Sequence, residues 1–209
     1  MKKQFETWKI ITDFLTSLAC IVFITWVLLF CYTFISVWKA CSETAQIPQQ
    51  EFVRIRIYGS STTMEGNTIS AEFSIVDTNG NEIAAIERSW SGNYLGIEFA
   101  SLEFNNNIFL FPSRIYGKER IMENSVPKKR STTLQKYYNE NNQCMLLGFG
   151  STYEERNRLY KISSFATGKY PFPGFGHVNN YSLDLSSCKI DTWYSIHRDS
   201  SGNLMVVEF

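Results

Sequence analysis

FLTSLACIVFITWVLLFCYTFISVW, residues 14–38, runs between Asp13 and Lys39 without a single charged side chain. Its reading decides where the rest of the chain lives and which fold to expect there. Its 25 residues, at about 1.5 Å each, give a helix of roughly 37 Å, against a bilayer hydrocarbon core of roughly 30 Å. Fourteen of them are Leu, Ile, Val or Phe. At about −0.3 to −0.6 kcal/mol each near the membrane centre, these outweigh the hydroxyls of Thr16, Ser17, Thr25, Thr33 and Ser36. A cleaved export signal has a shorter apolar region followed by small residues, whereas this run ends in Trp38-Lys39. A soluble core helix would show a polar stripe. The run is therefore expected to be a permanent single-pass anchor contacting the lipid bilayer.

Lys2, Lys3 and Lys9 precede the run and only Lys39 closely follows it, a bias that places the N-terminus in the cytoplasm and the remaining chain outside it. Trp8 and Trp38 stand where amphipathic rings favour the headgroup level. Beyond residue 39 the chain carries 16 basic and 18 acidic residues. This near-neutral balance gives no support for a nucleic-acid partner. The expected organisation is a cytoplasmic N-terminus (1–13), a transmembrane helix (14–38), a stalk (39–50) and a mainly β extracytoplasmic domain (51–209).

After the stalk the apolar period changes to two. Val53, Ile55 and Ile57 alternate with Arg54 and Arg56, and Ile69, Ala71, Phe73 and Ile75 alternate with Ser70, Glu72 and Ser74. Asn79-Gly80 between two such runs predicts a tight hairpin with positive φ at both central positions. EIAAIERSW, YLGIEF, ASLEF and IFLF continue a meander, with Pro112 expected to end the last of these strands. A short helix is expected within 131–141, with Leu134, Tyr137 and Tyr138 on one side, and CMLLGFG reads as a short buried strand. A longer helix is expected from a Ser151/Glu154 capping box to Gly168, carrying Leu159, Ile162 and Ala166. Strands around YSLDL, IDTWYSIH and NLMVVEF close the chain. The expected fold is α+β and mainly β: a two-layer, mostly antiparallel domain of about eight strands with two short helices behind a transmembrane helix.

Two stretches offer binding surfaces. Residues 113–136 carry Arg114, Lys118, Arg120, Lys128, Lys129, Arg130 and Lys136 against Glu119 and Glu123, a net charge of +5. This suits an anionic surface or polymer, although a solvated loop has the same composition. YPFPGFGHV places Phe172, Phe175 and His177 on a loop that reads either as a binding rim or as a core plug.

Evidence for catalysis is thinner. His177 and His197 are the only histidines and neither belongs to a metal-binding spacing. Asp184, Asp191 and Asp199 lie near them in sequence, with Ser182 and Cys188 as conceivable nucleophiles. GFGS before a helix resembles a phosphate-cradling turn, but the lysine and full glycine spacing of a P-loop are absent. Asn180-Tyr181-Ser182 is formally a glycosylation acceptor. No cofactor or metal is implied.

GNEIAAIERSWSGNYLGIEF (80–99), FPSRIYG (111–117) and MLLGFGSTYEERNRLY (145–160), in this order behind an N-terminal span, resemble an uncharacterised spirochaete-type group of bacterial single-pass membrane proteins with a β-rich extracytoplasmic domain. The resemblance implies the topology and a bacterial inner-membrane setting, and carries over no activity or site residue. The expected function is a membrane-anchored extracytoplasmic binding or assembly module whose partner is another envelope protein or polymer. The alternative is a membrane-tethered envelope hydrolase or transferase. Export would also expose Cys144 and Cys188, the two cysteines beyond the stalk, to an oxidising compartment. A disulfide between them, closing a loop of about 45 residues, would stabilise the domain by roughly 4 kcal/mol. An apolar filler at Cys144 with an unpaired Cys188 is the other reading.

Overall fold

The computed structural model describes residues 2–44, 51–63, 66–104, 107–121, 131–170, 176–199 and 203–208. The chain divides into two units, Met1–Lys39 and Ala40–Phe209. The first is one helix, part of α1 (Lys2–Glu43). It contains a segment long and apolar enough to cross a membrane, with a mean hydropathy of 2.5 and none of its apolar window buried. The hydroxyls of Thr16, Thr25 and Thr33 donate to the carbonyls four residues earlier, at 2.7, 2.8 and 2.8 Å. Each thus satisfies its donor within the helix. Trp26, Phe30, Phe34 and Trp38 stack at successive four-residue steps, with centroids 6.2, 5.9 and 5.8 Å apart.

The helix does not stop at the expected stalk. Its last turn belongs to the second unit, where Ala40 and Cys41 are buried. Glu43 there pairs with Arg158 at 3.3 Å. The remainder of the expected stalk, 45–50, lies outside the described residues.

The second unit is mainly antiparallel β, as the alternating runs require, with eleven strands among the described residues. Sheet order β11-β10-β1-β2-β3 combines β1 (Glu51–Thr63), β2 (Gly66–Val76), β3 (Glu82–Ser91), β10 (Trp193–Arg198) and β11 (Leu204–Glu208). Sheet order β6-β5-β4-β9 combines β4 (Tyr94–Phe104), β5 (Asn107–Lys118), β6 (Ser131–Thr133) and β9 (Val178–Asp184). A two-stranded ribbon, β7 (Asn139–Glu140) and β8 (Gln143–Cys144), completes the set. The helices of this unit are α2 (Gln135–Tyr138) and α3 (Tyr153–Ala166).

The layers meet through Val53, Ile55, Phe73, Ile75 and Ile196 of the first sheet and Leu95, Ile97, Phe99 and Ile115 of the second, all fully buried. A bulge between Glu51 and Val53 leaves Phe52 without a partner on β10. Phe52 turns inward as well, its ring edge-on to Phe99 at 5.5 Å. Trp90 ties the layers at one corner, donating from Nε1 to Thr132 Oγ1 at 3.0 Å.

Several local expectations are corrected. The 79–80 hairpin is a longer loop. Gly80 alone has a positive φ of 79°, its N–H reaches the Asp77 carbonyl at 3.0 Å, and Asp77 N–H reaches the Asn81 carbonyl at 2.9 Å. That is a turn followed by a left-handed glycine. The two-residue turn with both positions left-handed occurs instead at Asn141 and Asn142 (φ 49° and 59°), between β7 and β8. Pro112 does not end its strand. β5 runs on to Lys118, because Glu98 pairs with Arg114 and Phe99 with Pro112, leaving Ser113 as a bulge. The helix expected within 131–141 shrinks to the single turn α2, since Thr132 and Thr133 pair with β5 at Ile115 and Arg114. In CMLLGFG only Cys144 is in a strand, and Met145–Leu147 form a 3-10 turn. The α3 capping box is one residue later than expected: Thr152 Oγ1 accepts from Glu155 N–H at 3.3 Å, and Glu155 accepts from Thr152 N–H at 2.8 Å.

Candidate functional site

The alternation of β4 sends Leu95, Ile97 and Phe99 into the core and Glu98, Ala100 and Leu102 to the outer face. Register then assigns their neighbours on that face: Arg114 and Ser182 beside Glu98, Phe111 and Asn180 beside Ala100, Phe109 and Val178 beside Leu102. The outer face therefore has an apolar half and a polar half. Helix α3 packs on β4 and β5, and ends before the polar half at Thr167 and Gly168, the latter in the left-handed region at φ 72°.

Where α3 stops, a cleft of about 350 Å³ opens. Glu98 and Arg114 are in its lining, with Ser113, Ser131 and Thr133 from the β5–β6 side and Asn180 and Val178 from β9. Phe165, Ala166, Thr167 and Gly168 supply the helical wall. This volume falls in the range of small-ligand pockets.

Glu98 and Arg114 form an ion pair with side chains only 17% and 20% exposed. The Arg114 guanidinium lies 5.5 Å from the centre of the Tyr116 ring. Along the same face Tyr116 Oη and Ser182 Oγ share a hydrogen bond of 2.5 Å. Lys118, its side chain only 5% exposed, donates to Asp184 at 3.1 Å. Burial by itself would raise the Asp184 pKa, but hydrogen bonds from Ser186 and Lys118 and the lysine charge hold it below the ordinary value. Successive cross-strand pairs thus neutralise the face. It offers carboxylate, guanidinium, hydroxyl and amide groups beside an apolar wall, and among the described residues Arg114 is matched by Glu98 and Lys118 by Asp184.

This redistributes the residues picked out in the sequence. Arg114 lines the cleft but is paired with Glu98, and Lys118 is spent on Asp184. Arg120 is exposed beyond the end of β5. Lys128, Lys129, Arg130, Phe172 and Phe175 lie outside the described residues, although Ser131, next in sequence to Arg130, is in the cleft lining. His177 is exposed just before β9. Its Nδ1 is 3.1 Å from the Glu103 carbonyl, and its own carbonyl accepts from Glu103 N–H at 2.8 Å. His197 sits on β10 opposite Met205 and Glu51, and the Glu51 carboxylate receives Arg54 at 2.9 Å and Ser195 at 2.5 Å. Neither histidine lines the cleft. Among the described residues no cluster of three or more His, Cys, Asp or Glu could hold a metal ion.

The disulfide expectation is corrected, because both thiols are free. Cys144 is fully buried on β8, with burial pushing its pKa up to about 12 against hydrogen bonds to Leu146 and Ser163. Cys188 lies in the turn beyond β9, where burial and then the Asp184 charge push its pKa up to about 11. The two are packed against different elements, and neither is a ready thiolate at neutral pH.

In the GFGS turn and the helix start after it, the N–H donors of Gly148, Ser151 and Glu155 are met within the protein. A Cβ on Gly148 would stand 2.4 Å from Asp77 Oδ2, so a carboxylate packs against the glycine, while Gly148 N–H and Ser151 N–H donate to the Met145 and Gly148 carbonyls and Glu155 N–H to Thr152 Oγ1. Asp77 is buried, and its Oδ1 accepts from Asn79 N–H and Asn81 N–H, both at 2.8 Å. Burial would raise its pKa, but these bonds and those from the Asn81 and Asn79 side chains outweigh it and lower the value. Asp77→Ala is expected to cost about 2 kcal/mol at pH 7, because several charge-assisted bonds to the buried carboxylate are lost. A depressed folded-state pKa confers stability that is present above the ordinary carboxylate value of about 3.9 and lost as pH falls through the folded value. The gap between wild type and variant should therefore close in acid, and urea unfolding at pH 7 and below pH 3 measures it.

Sequence reasoning missed Glu98, Ser113, Ser131, Thr133, Thr167 and Asn180 as cleft residues. One signal was present: Glu98 is a lone charge between Ile97 and Phe99 in an otherwise uncharged run, and such residues face outward. No family model, curated protein or solved structure matches the chain.

Proposed function

We propose that this chain is a membrane-anchored extracytoplasmic binding or assembly module, set in a bacterial envelope, with the cleft beside α3 as its ligand site. The observation that carries this reading is a polar cleft whose charges among the described residues, Glu98 and Arg114, are paired, built on paired strands, in a domain that follows a helix of bilayer length. Paired strands hold donors and acceptors in fixed positions, which suits recognition of a partner whose groups are presented in a fixed pattern. The neutral floor favours a partner segment rich in hydroxyl or amide groups, whether an envelope protein or a polymer, over a strongly anionic one. Anchor is favoured over cleaved signal because a cut near Ala40 would fall within a helical turn buried in the domain. The three lysines before the apolar run favour a cytoplasmic N-terminus.

Two measurements test this reading. A reporter active only outside the cytoplasm, fused after Phe209, should be active, and activity of a cytoplasm-only reporter there would reverse the orientation. A photoreactive residue at Thr133 in the full chain, illuminated in the native membrane, should give a discrete adduct that the same residue at Ser89, exposed on β3, does not give. Identical products from both positions would remove the cleft as the ligand site.

A further inference from the structure

Among the described residues, one edge of the five-stranded sheet is β11, Leu204-Met205-Val206-Val207-Glu208, whose neighbour in that sheet is β10. Edge strands present a row of backbone donors and acceptors, and soluble domains blunt them with charges, prolines or short length. The other edges here follow that rule. β3 carries Glu82, Glu87 and Arg88, β6 is three residues long, and β9 bears Asn179 and Asn180. β11 has four apolar residues in a row, and the charge that follows, Glu208, is engaged by Lys189 at 3.1 Å. Met205 and Val207, 41% and 40% exposed, lie on the sheet face shared with His197 and Ser195, their partners on β10.

We propose that β11 is a self-association edge through which two copies of this chain pair antiparallel about a two-fold axis at Val206. The register follows from symmetry. A two-fold axis perpendicular to a continuous sheet keeps each side chain on its own face, so the axis must pass through a residue position and not between two. Centred on Val206, it sets Met205 of each copy against Val207 of the other, covering both exposed apolar side chains twice. Centred on Met205 it would set Val207 against Asn203, and centred on Val207 it would set Val206 against Glu208. Anchoring in one bilayer would hold the two copies at a high effective concentration, which lets a short edge suffice. The surface is separate from the cleft, which is built on the other sheet.

The test uses the full chain in its native membrane with Cys20, Cys31 and Cys188 replaced by serine, so that no exposed native thiol contributes. Directly opposed residues have Cα atoms about 5 Å apart, within disulfide reach. Val206→Cys should therefore form a covalent dimer on mild oxidation. Leu204→Cys copies would be about four strand rises, roughly 13 Å, apart along the pair and should give less than a tenth of that yield. Adding Val207→Lys, an exposed change that leaves thermal unfolding in place, should suppress the Val206→Cys dimer at least tenfold. The proposal is overturned by any of three results: no Val206→Cys dimer, an equal yield from Arg88→Cys on the opposite edge, or a dimer that survives Val207→Lys.

Discussion

Gly117→Ala is expected to destabilise the second unit by about 4 kcal/mol, at the upper end of what a single added methyl costs. The reason is the corner at which the chain leaves one sheet for the other. β3 ends at Ser91, Gly92 and Asn93 turn, and β4 begins at Tyr94, while the end of β5 passes directly beneath. A Cβ on Gly117 would stand 2.0 Å from the Ser91 carbonyl oxygen, and one on Gly92 would stand 2.5 Å from the Lys118 carbonyl oxygen. Both obstacles are backbone atoms held by the ladder, and Asn93 N–H donates to Lys118 O at 2.8 Å, so neither can swing aside as a side-chain tip would. Separating them moves Trp90 off Thr132 and opens the layers at that corner. For a unit of this size, about 4 kcal/mol corresponds to a fall in Tm of roughly 12 °C. Gly150→Ala is the control, because nothing lies within 4 Å of its Cβ position; it should stay within about 0.5 kcal/mol of wild type. Thermal unfolding followed by tryptophan fluorescence measures both, and equal midpoints for the two variants would mean that the corner is not the close crossing described.

That corner also shows which physical information the sequence carries and which it does not. Val53, Ile55 and Ile57 declared their strand because burial on one face imposes a period of two, and α3 declared its limits to within one residue because a capped first turn and a left-handed glycine have a local chemistry. Pro112 was misleading for a reason equally local. A proline excludes itself from a regular ladder, yet a bulge at Ser113 absorbs the missing donor, and nothing in the neighbouring residues announces a bulge. The error propagates, because without that bulge Glu98 has no assigned partner, and Glu98 and Arg114, sixteen residues apart, are the pair on which the cleft is built. The basic stretch misled in the complementary way. Composition counts charges but not their partners, and Arg114 and Lys118 meet Glu98 and Asp184 only through the register of β5, β4 and β9. Thr132 and Thr133 likewise looked compatible with a helix until pairing with β5 claimed them. In each case the missing quantity was register, a long-range property set by packing.

Replacing Ile24 and Leu28 together by arginine is expected to abolish stable membrane integration of the chain. Both side chains are exposed near the middle of the apolar run, so the substitution removes no packing from the first unit and acts on transfer energy alone. The fourteen Leu, Ile, Val and Phe residues of 14–38 supply about −6 kcal/mol on an insertion scale. Exchanging one central aliphatic residue for arginine costs about 3 kcal/mol on the same scale, so two exchanges cancel the whole favourable sum. Ile24→Ala with Leu28→Ala shortens the same side chains without adding charge and should leave the chain integrated. Alkaline extraction of membranes separates the cases: wild type and the alanine pair should stay in the pellet, and the arginine pair should move to the supernatant. Retention of the arginine pair in the pellet would mean that the run does not cross the bilayer, and the domain would then be held by contacts elsewhere. The sign of the effect discriminates a second point as well. Were 14–38 a signal removed after export, the arginine pair would block export and leave an uncleaved precursor, whereas wild type would lack its first residues. An anchor instead keeps Lys2 through Lys39 in the mature wild-type chain, so the intact mass of that chain, read beside the extraction, assigns the run to one role or the other.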